Sequence, residues 1–314
     1  MIGKKIATRE AYGAALVELG RENPNVVVLD ADLSKSTKTA GFAKEYPERF
    51  FQMGIAEQDM MGTAAGLATC GKIPFASTFA MFATGRVYDQ VRNSIGYPGL
   101  NVKIGATHAG LTVGEDGATH QALEDIALMR GIPGMTVIVP ADYVEAFQAT
   151  KAAAAMQGPV YLRYTRGGVP VVFDENYKFT IGKANILREG TDAAVIACGV
   201  MVGAALEAAD LLAQEGLSIQ VINMATIKPL DVEAVVQAAK TTGAVVTAEE
   251  HSIIGGLGSA VAEVLGEHYP VPFKRVGVQD VFGQSGSPDE LLAHYGLTGE
   301  NIAQAVRETV ARKA

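Results

Sequence analysis

Between Thr107 and Gln121 the chain places two of its five histidines, His108 and His120, with Glu115, Asp116 and the glycines Gly110, Gly114 and Gly117. A stretch this polar and glycine-rich is poor packing material. Directly after an apolar run, it reads as a loop that presents side chains from a rigid scaffold. Histidine and aspartate are metal ligands, but the His108–Asp116–His120 spacing fits no zinc motif and no third histidine is near. Hydrogen bonding to an oxygen-rich small substrate suits the same groups better.

Glu57 lies in Met53-Gly54-Ile55-Ala56-Glu57-Gln58, ahead of the helical run Met60 to Ala68. A carboxylate among apolar and small residues is costly to bury unless something hydrogen-bonds it. In one reading it caps the helix N-terminus. In the other it sits at the carboxyl end of a parallel strand, where open α/β sheets bind ligands, and recognises a basic ring nitrogen. Phe79 and Phe82, three residues apart, share a face if the chain turns helical there. They then either fill a core or form a flat wall for a heteroaromatic ring. Arg9 opens the first helix, Ser36 follows the first strand, and Arg166 follows the last strand of the first half. Arginine and hydroxyl groups at strand carboxyl ends suit a phosphate.

Positioning these groups falls to strands that alternate with helices. The runs Val26 to Asp30, Ile73 to Thr78, Val102 to Ala106, Thr136 to Val139 and Val160 to Tyr164 predict strands covered on both faces. Ala-rich helical stretches lie between them: Arg9 to Gly20, Met60 to Ala68, Arg86 to Ile95, Gln121 to Arg130 and Tyr143 to Ala155. A second series follows a Gly-Gly-Val-Pro and polar stretch, with strands at Ala194 to Cys198, Ile219 to Ile222 and Ala244 to Ala248. Strands joined by helices give crossovers and a mostly parallel sheet, an α/β class. The expected division is one domain over 1–170, a linker over 171–189 and a second domain over 190–314. Gly255-Gly256-Leu257-Gly258 imitates a dinucleotide fingerprint, but Glu249-Glu250-His251 precede it and would repel a pyrophosphate, so it reads as helix-packing glycine. No P-loop, H-E-x-x-H or G-x-S-x-G motif occurs.

The length of 314 residues suits two domains at roughly 150 residues each. With 48% hydrophobic and 19% charged residues, the composition argues against disorder, collagen or a coiled coil. A net charge of −8 opposes a phosphate backbone and argues against nucleic acid as partner. Two distant cysteines, Cys70 and Cys198, give no disulfide framework and point to a reducing, cytoplasmic compartment. No apolar run has the length of a signal peptide or a membrane span.

Gly54-Ile55-Ala56-Glu57-Gln58, Ser77-Thr78-Phe79-Ala80-Met81-Phe82 and Gly114-Glu115-Asp116-Gly117-Ala118-Thr119-His120 together resemble the C-terminal half of transketolase. The similarity runs from about Lys5 to the end of the chain and covers the pyrimidine-binding domain followed by the transketolase C-terminal domain. Arg86-Val87-Tyr88-Asp89-Gln90-Val91 is also similar to deoxyxylulose-phosphate synthase. The resemblance implies two three-layer α/β domains, the first binding thiamine diphosphate. In that superfamily the diphosphate and its divalent metal (Mg or Ca) are held by a Gly-Asp-Gly motif and a downstream asparagine on another domain. No Gly-Asp-Gly occurs here. The resemblance thus implies half of a split enzyme in an α₂β₂ heterotetramer. The N-terminal subunit would carry the diphosphate and most of the metal binding, and this chain alone would have little or no activity.

Carried over by position, Glu57 matches the glutamate that hydrogen-bonds N1′ of the aminopyrimidine and favours the imino tautomer that activates thiazolium C2. Phe79 and Phe82 match aromatics that contact the pyrimidine, while Gly85 stands where many transketolases have a third. Asp116 matches the residue that binds the donor's C2 hydroxyl, and His120 its neighbour at the substrate oxygens. With Glu57 these form the implied catalytic set. Arg9, Ser36, His108 and Arg166 match the sugar-phosphate cluster. The implied reaction is transfer of a two-carbon ketol unit from a ketose phosphate to an aldose phosphate. Other readings are a deoxyxylulose-phosphate-synthase-like or other ketol transferase subunit, a 2-oxo-acid dehydrogenase β subunit, and a non-catalytic partner.

Overall fold

A computed structural model describes residues 2–313. Its first half contributes strands β1 (Lys5–Ile6), β2 (Val26–Asp30), β3 (Phe50–Gln52), β4 (Ile73–Phe79), β5 (Lys103–Thr107), β6 (Thr136–Ile138), β7 (Val160–Arg163) and β8 (Val169–Pro170). The second contributes β9 (Asn185–Arg188), β10 (Ala193–Ala197), β11 (Ile219–Asn223), β12 (Thr226–Lys228), β13 (Val245–Ser252) and β14 (Phe273–Val278). A seven-stranded sheet runs β12-β6-β7-β5-β4-β2-β3 and a five-stranded sheet runs β14-β13-β10-β11-β9. Each is parallel but for one antiparallel edge strand, β12 on β6 and β9 on β11. The fold is α/β with mostly parallel sheets, as the uniformly apolar strand runs require.

Helices flank both faces. On one face of the larger sheet, helices Thr8–Glu22 and Tyr143–Ala155 bury Ala11, Leu16, Ala146 and Ala149 against Val26, Val28 and Leu162. On the other, Met60, Met61 and Ala64 of helix Glu57–Thr69 pack with Val27, Ile104 and Val137. That cluster continues without a break into Ile196, Ile222, Val245 and Leu257, so the two halves share a core.

Three departures from the sequence expectations stand out. Strand β12, from the second half, crosses back to extend the first half's sheet by pairing Thr226 with Ile138. Three residues are too few to show periodicity, and their partner is set by tertiary packing. Strand β9 lies wholly inside the stretch expected as linker, because an edge strand with mixed polarity does not stand out from its surroundings. Arg86 to Ile95, expected as a helix, is helical only from Tyr88, and it winds as a π-helix over Gln90–Gly96.

A buried ion pair sits where the halves meet. Arg163, at the end of β7, donates from Nε to Asp125 Oδ2 at 2.7 Å and from Nη2 to the carbonyls of Glu250 at 3.0 Å and Ala122 at 3.2 Å. Tyr161 Oη donates to the same aspartate at 2.6 Å. Burial pushes the Asp125 carboxyl up, but the Arg163 charge and its hydrogen bonds outweigh burial and hold it below the usual carboxylate range. Glu249 accepts from the N–H groups of Leu257 and Gly258 at 2.7 Å each, capping helix Leu257–His268. This fixed carboxylate leaves the Gly255–Gly258 turn to packing, as its sequence context suggested.

Candidate active site

Parallel strands β2, β4, β5 and β7 bring their carboxyl ends to one edge of the large sheet, the edge where such sheets bind ligands. Asp30 ends β2. Its buried carboxylate accepts from Leu33 N at 2.7 Å, Thr37 Oγ1 at 2.6 Å and Thr39 Oγ1 at 2.8 Å, pinning the loop that carries Ser36 and Lys38. Thr8 and Thr165 bond reciprocally, Thr165 N to Thr8 Oγ1 at 2.7 Å and Thr8 N to Thr165 Oγ1 at 3.2 Å. That clasp sets Arg9, on the first turn of its helix, beside Arg166.

Four residues that the sequence scatters are thereby gathered, three of them by their side chains. Arg9 Nη1 donates to the Ser36 carbonyl at 2.9 Å and lies 3.1 Å from His108 Nε2. A guanidinium can only donate, so Nε2 accepts; the imidazole proton is then on Nδ1, which donates to Thr107 Oγ1 at 2.9 Å. Burial first, then the charges of Arg9 and Arg166, push His108 down to about 3, so the ring is neutral. His108 also holds φ at +55°, a costly conformation for a non-glycine residue. Arg166 Nη1 donates to the Val113 carbonyl and, at 2.9 Å, to Glu115 Oε2. Lys38, paired with Glu10 at 2.9 Å, adds a further cation near His108. Ser36 joins through its carbonyl rather than its hydroxyl. Arg9 Nε is buried without a hydrogen-bond partner. In a chain of net charge −8, these groups gather three cations, Lys38 and Arg166 each paired with a carboxylate, and one unspent donor on Arg9.

Glu57 is the first residue of helix Glu57–Thr69 and is 3% exposed. It does not cap that helix. Arg86 Nη1 donates to both of its oxygens, each at 2.9 Å, and the Arg86 guanidinium carbon stands 4.2 Å from the centroid of the Phe82 ring. A flat cation therefore lies on Phe82 while bonding the buried acid. Phe79 sits behind, stacked at 3.8 Å on His108, with its ring 6.1 Å from Phe82. His120 meets Phe82 edge to face at 5.3 Å, and its Nδ1 lies 2.9 Å from Thr119 Oγ1. Asp116, at the end of the 3₁₀ turn Leu111–Asp116, is exposed. Among the described residues, no group of three or more His, Cys, Asp or Glu could hold a metal ion.

Sequence reasoning missed Arg86 and Lys38 as site residues, and did not foresee that Glu115 would pair with Arg166. The Gly85-Arg86 dipeptide, where an aromatic would otherwise stand, was the available signal for the first. The residues present fit the pyrimidine half of thiamine diphosphate: a stacking face on Phe82 and a buried carboxylate beside it, already engaged by a planar, nitrogen-bearing group.

Residues 4–171 match the sequence profile of the transketolase pyrimidine binding domain, and residues 182–302 that of the transketolase C-terminal domain. The chain belongs to the transketolase family. A solved split gene transketolase, described as an inactive beta4 tetramer, superposes with a TM-score of 0.92 at 58% identity, covering 99% of this chain and 100% of that one. The 6-deoxy-6-sulfo-D-fructose transketolase subunit SqwH of Clostridium sp. (strain MSTE9) is 47% identical over 305 residues, 97% of this chain and 95% of that protein. An apulose-4-phosphate transketolase subunit of Phocaeicola vulgatus is 40% identical over 311 residues, 99% of each. This transketolase chain is thus matched along nearly its whole length by proteins named as subunits. No helix of its described residues is long and apolar enough to cross a membrane.

Proposed function

We propose that this chain is the C-terminal subunit of a split, thiamine-diphosphate-dependent transketolase, acting with an N-terminal subunit in an α₂β₂ heterotetramer. The observation that carries the reading is the Glu57 carboxyl, 3% exposed, beside the Phe82 ring at the ligand-binding edge of a parallel sheet. Relatives named as transketolase subunits support it, as does a β-only tetramer described as inactive. The diphosphate and its divalent metal would be held mainly by the partner.

When bound, the cofactor would supply a carbanion equivalent that accepts and releases a two-carbon ketol unit. Glu57 would hold a proton at the pyrimidine N1′, Phe82 would fix the ring plane with Phe79 backing it, and Asp116 with His120 would bond the donor's hydroxyl and carbonyl oxygens. Arg9, Ser36, His108 and Arg166 would seat the distal anion, and binding energy gained there would align the reacting carbon. His108 serves as a neutral acceptor that keeps Arg9 aimed at the pocket. Two relatives are named for sugars with different anionic groups, a sulfo sugar and a 4-phosphate. The substrate class is accordingly a ketose with a distal phosphate or sulfonate.

The test is reconstitution. The chain is mixed with an N-terminal subunit carrying Gly-Asp-Gly and supplied with thiamine diphosphate, Mg²⁺, a ketose phosphate and an aldose phosphate. Ketol transfer that needs both subunits and the cofactor supports the reading. Transfer without the cofactor, or none in the assembled complex with phosphate or sulfonate donors, contradicts it.

A further inference from the structure

The second half of the chain contributes none of the proposed ligand contacts, yet the loop that carries Asp116 rests on it. The loop enters through Gly110 at φ +79°, where a Cβ would stand 2.3 Å from Cδ of Glu250 on β13. The next turn begins on that carboxylate: Thr112 N–H donates to Glu250 Oε1 at 2.6 Å across 138 residues of sequence. Further along, Gln121 Nε2 donates to the carbonyls of Leu111 at 3.3 Å, Gly114 at 3.2 Å and Gln284 at 3.0 Å, tying the loop to the second half again. A Cβ at Gly117 would meet Ser285 Oγ at 2.6 Å. On its other side the same turn offers the Val113 carbonyl and the Glu115 carboxylate to Arg166.

We propose that Glu250 is a positioning residue, a carboxylate delivered from the C-terminal half that holds the Leu111–Asp116 turn and so places Asp116 and orients Arg166. The ligand those two residues meet rests on the transketolase reading; the hold on the turn does not. Glu250 is 2% exposed, and its Oε2 has no hydrogen-bond partner and stands 3.9 Å from Arg163 Nη1. Burial pushes the carboxyl up to about 7 despite that cation, and its Oε1 serves one backbone amide. A purely space-filling role would not need a polar group, because burying a carboxyl is costly unless something hydrogen-bonds it. Removing the acceptor alone leaves the Thr112 N–H buried and unpaired.

Hydrogen–deuterium exchange of Glu250→Leu and Glu250→Gln tests the hold in the isolated chain, and kinetics of the complex with the N-terminal subunit test its consequence. In Glu250→Leu, amides 111–117 exchange about tenfold faster, matching the loss of one buried hydrogen bond, while β10 keeps its protection. Glu250→Gln keeps volume and an accepting oxygen, and raises exchange of the same amides by only about threefold. In the complex, the donor KM of Glu250→Leu rises about tenfold while kcat falls much less, the mark of a lost ground-state contact. Glu250→Gln restores most of the affinity. Unchanged exchange at 111–117 in both variants, faster exchange spread through β10, or an unchanged donor KM overturns the proposal. If the wild-type complex transfers no ketol unit, the transketolase reading fails and the exchange arm still decides the hold.

Discussion

Replacing Arg86 by Met removes the cation that lies on Phe82 and bonds both oxygens of Glu57. The carboxylate is 3% exposed and the guanidinium 43%, so the pair lies between two regimes. Stranding a fully buried charge costs about 3–5 kcal/mol, whereas a solvent-exposed pair is worth about 1 kcal/mol or less. Screening on the arginine side brings the expected cost to about 2 kcal/mol. At roughly 2–4 °C per kcal/mol, the melting temperature of the isolated chain should fall by about 4–8 °C. Glu57→Gln leaves a neutral amide that needs no cation, so adding Arg86→Met to it should cost only the lost ring cover, about 0.5 kcal/mol. Thermal unfolding of both single variants and the double variant, followed by circular dichroism, gives the coupling, expected near 1.5 kcal/mol. Equal costs of Arg86→Met in the two backgrounds, within about 0.5 kcal/mol, would refute the reasoning.

Arg166→Ala should raise the KM for a phosphorylated donor by about tenfold or more and leave hydroxypyruvate nearly unaffected, because only the former reaches the cationic pocket; equal effects on both donors would mean that Arg166 does not meet the anion. Asp125→Asn leaves Arg163 buried with only the Glu250 carboxyl, 3.9 Å away, as an acidic neighbour and should cost about 3 kcal/mol, read as loss of thermal stability with the α/β circular dichroism retained below the transition. His108 has its folded pKa pushed down from 6.5 to about 3, so between those values the unfolded chain binds a proton that the folded chain does not, and stability falls as pH falls through that window. His108→Asn, which tolerates positive φ, should therefore lose less melting temperature between pH 7 and pH 5 than the wild type, whereas parallel curves would contradict the neutral buried ring.

The parallel strands were legible because β2, β4, β5 and β7 bury both faces and leave uninterrupted apolar runs. Helix Tyr143–Ala155 was legible for its alanines, while its cap, Asp142 Oδ1 accepting from Glu145 N at 2.8 Å, went unread. The edge strands β3, β9 and β12 were not, since short or mixed-polarity segments acquire their structure from neighbours. At the site, the residue types and strand ends pointed to Glu57, Arg9, His108 and Arg166, and the structure brings the last three together. What could not be read was pairing at a distance. Nothing in the sequence ties Arg86 to Glu57 across 29 residues or Glu250 to Thr112 across 138. Nor does it reveal that Phe79 spends its face on His108, or that Ser36 contributes a carbonyl instead of a hydroxyl. These depend on which way side chains turn after the backbone is set.

The most direct measurement concerns the buried acid itself. Glu57→Gln is assembled with the N-terminal subunit and saturated with thiamine diphosphate, and its ketol transfer is compared with the wild-type complex after assembly has been checked by sedimentation. A carboxyl that holds the proton at the cofactor ring predicts intact assembly and turnover reduced by about 10³-fold or more. Turnover within a few-fold of the wild type would contradict the central claim.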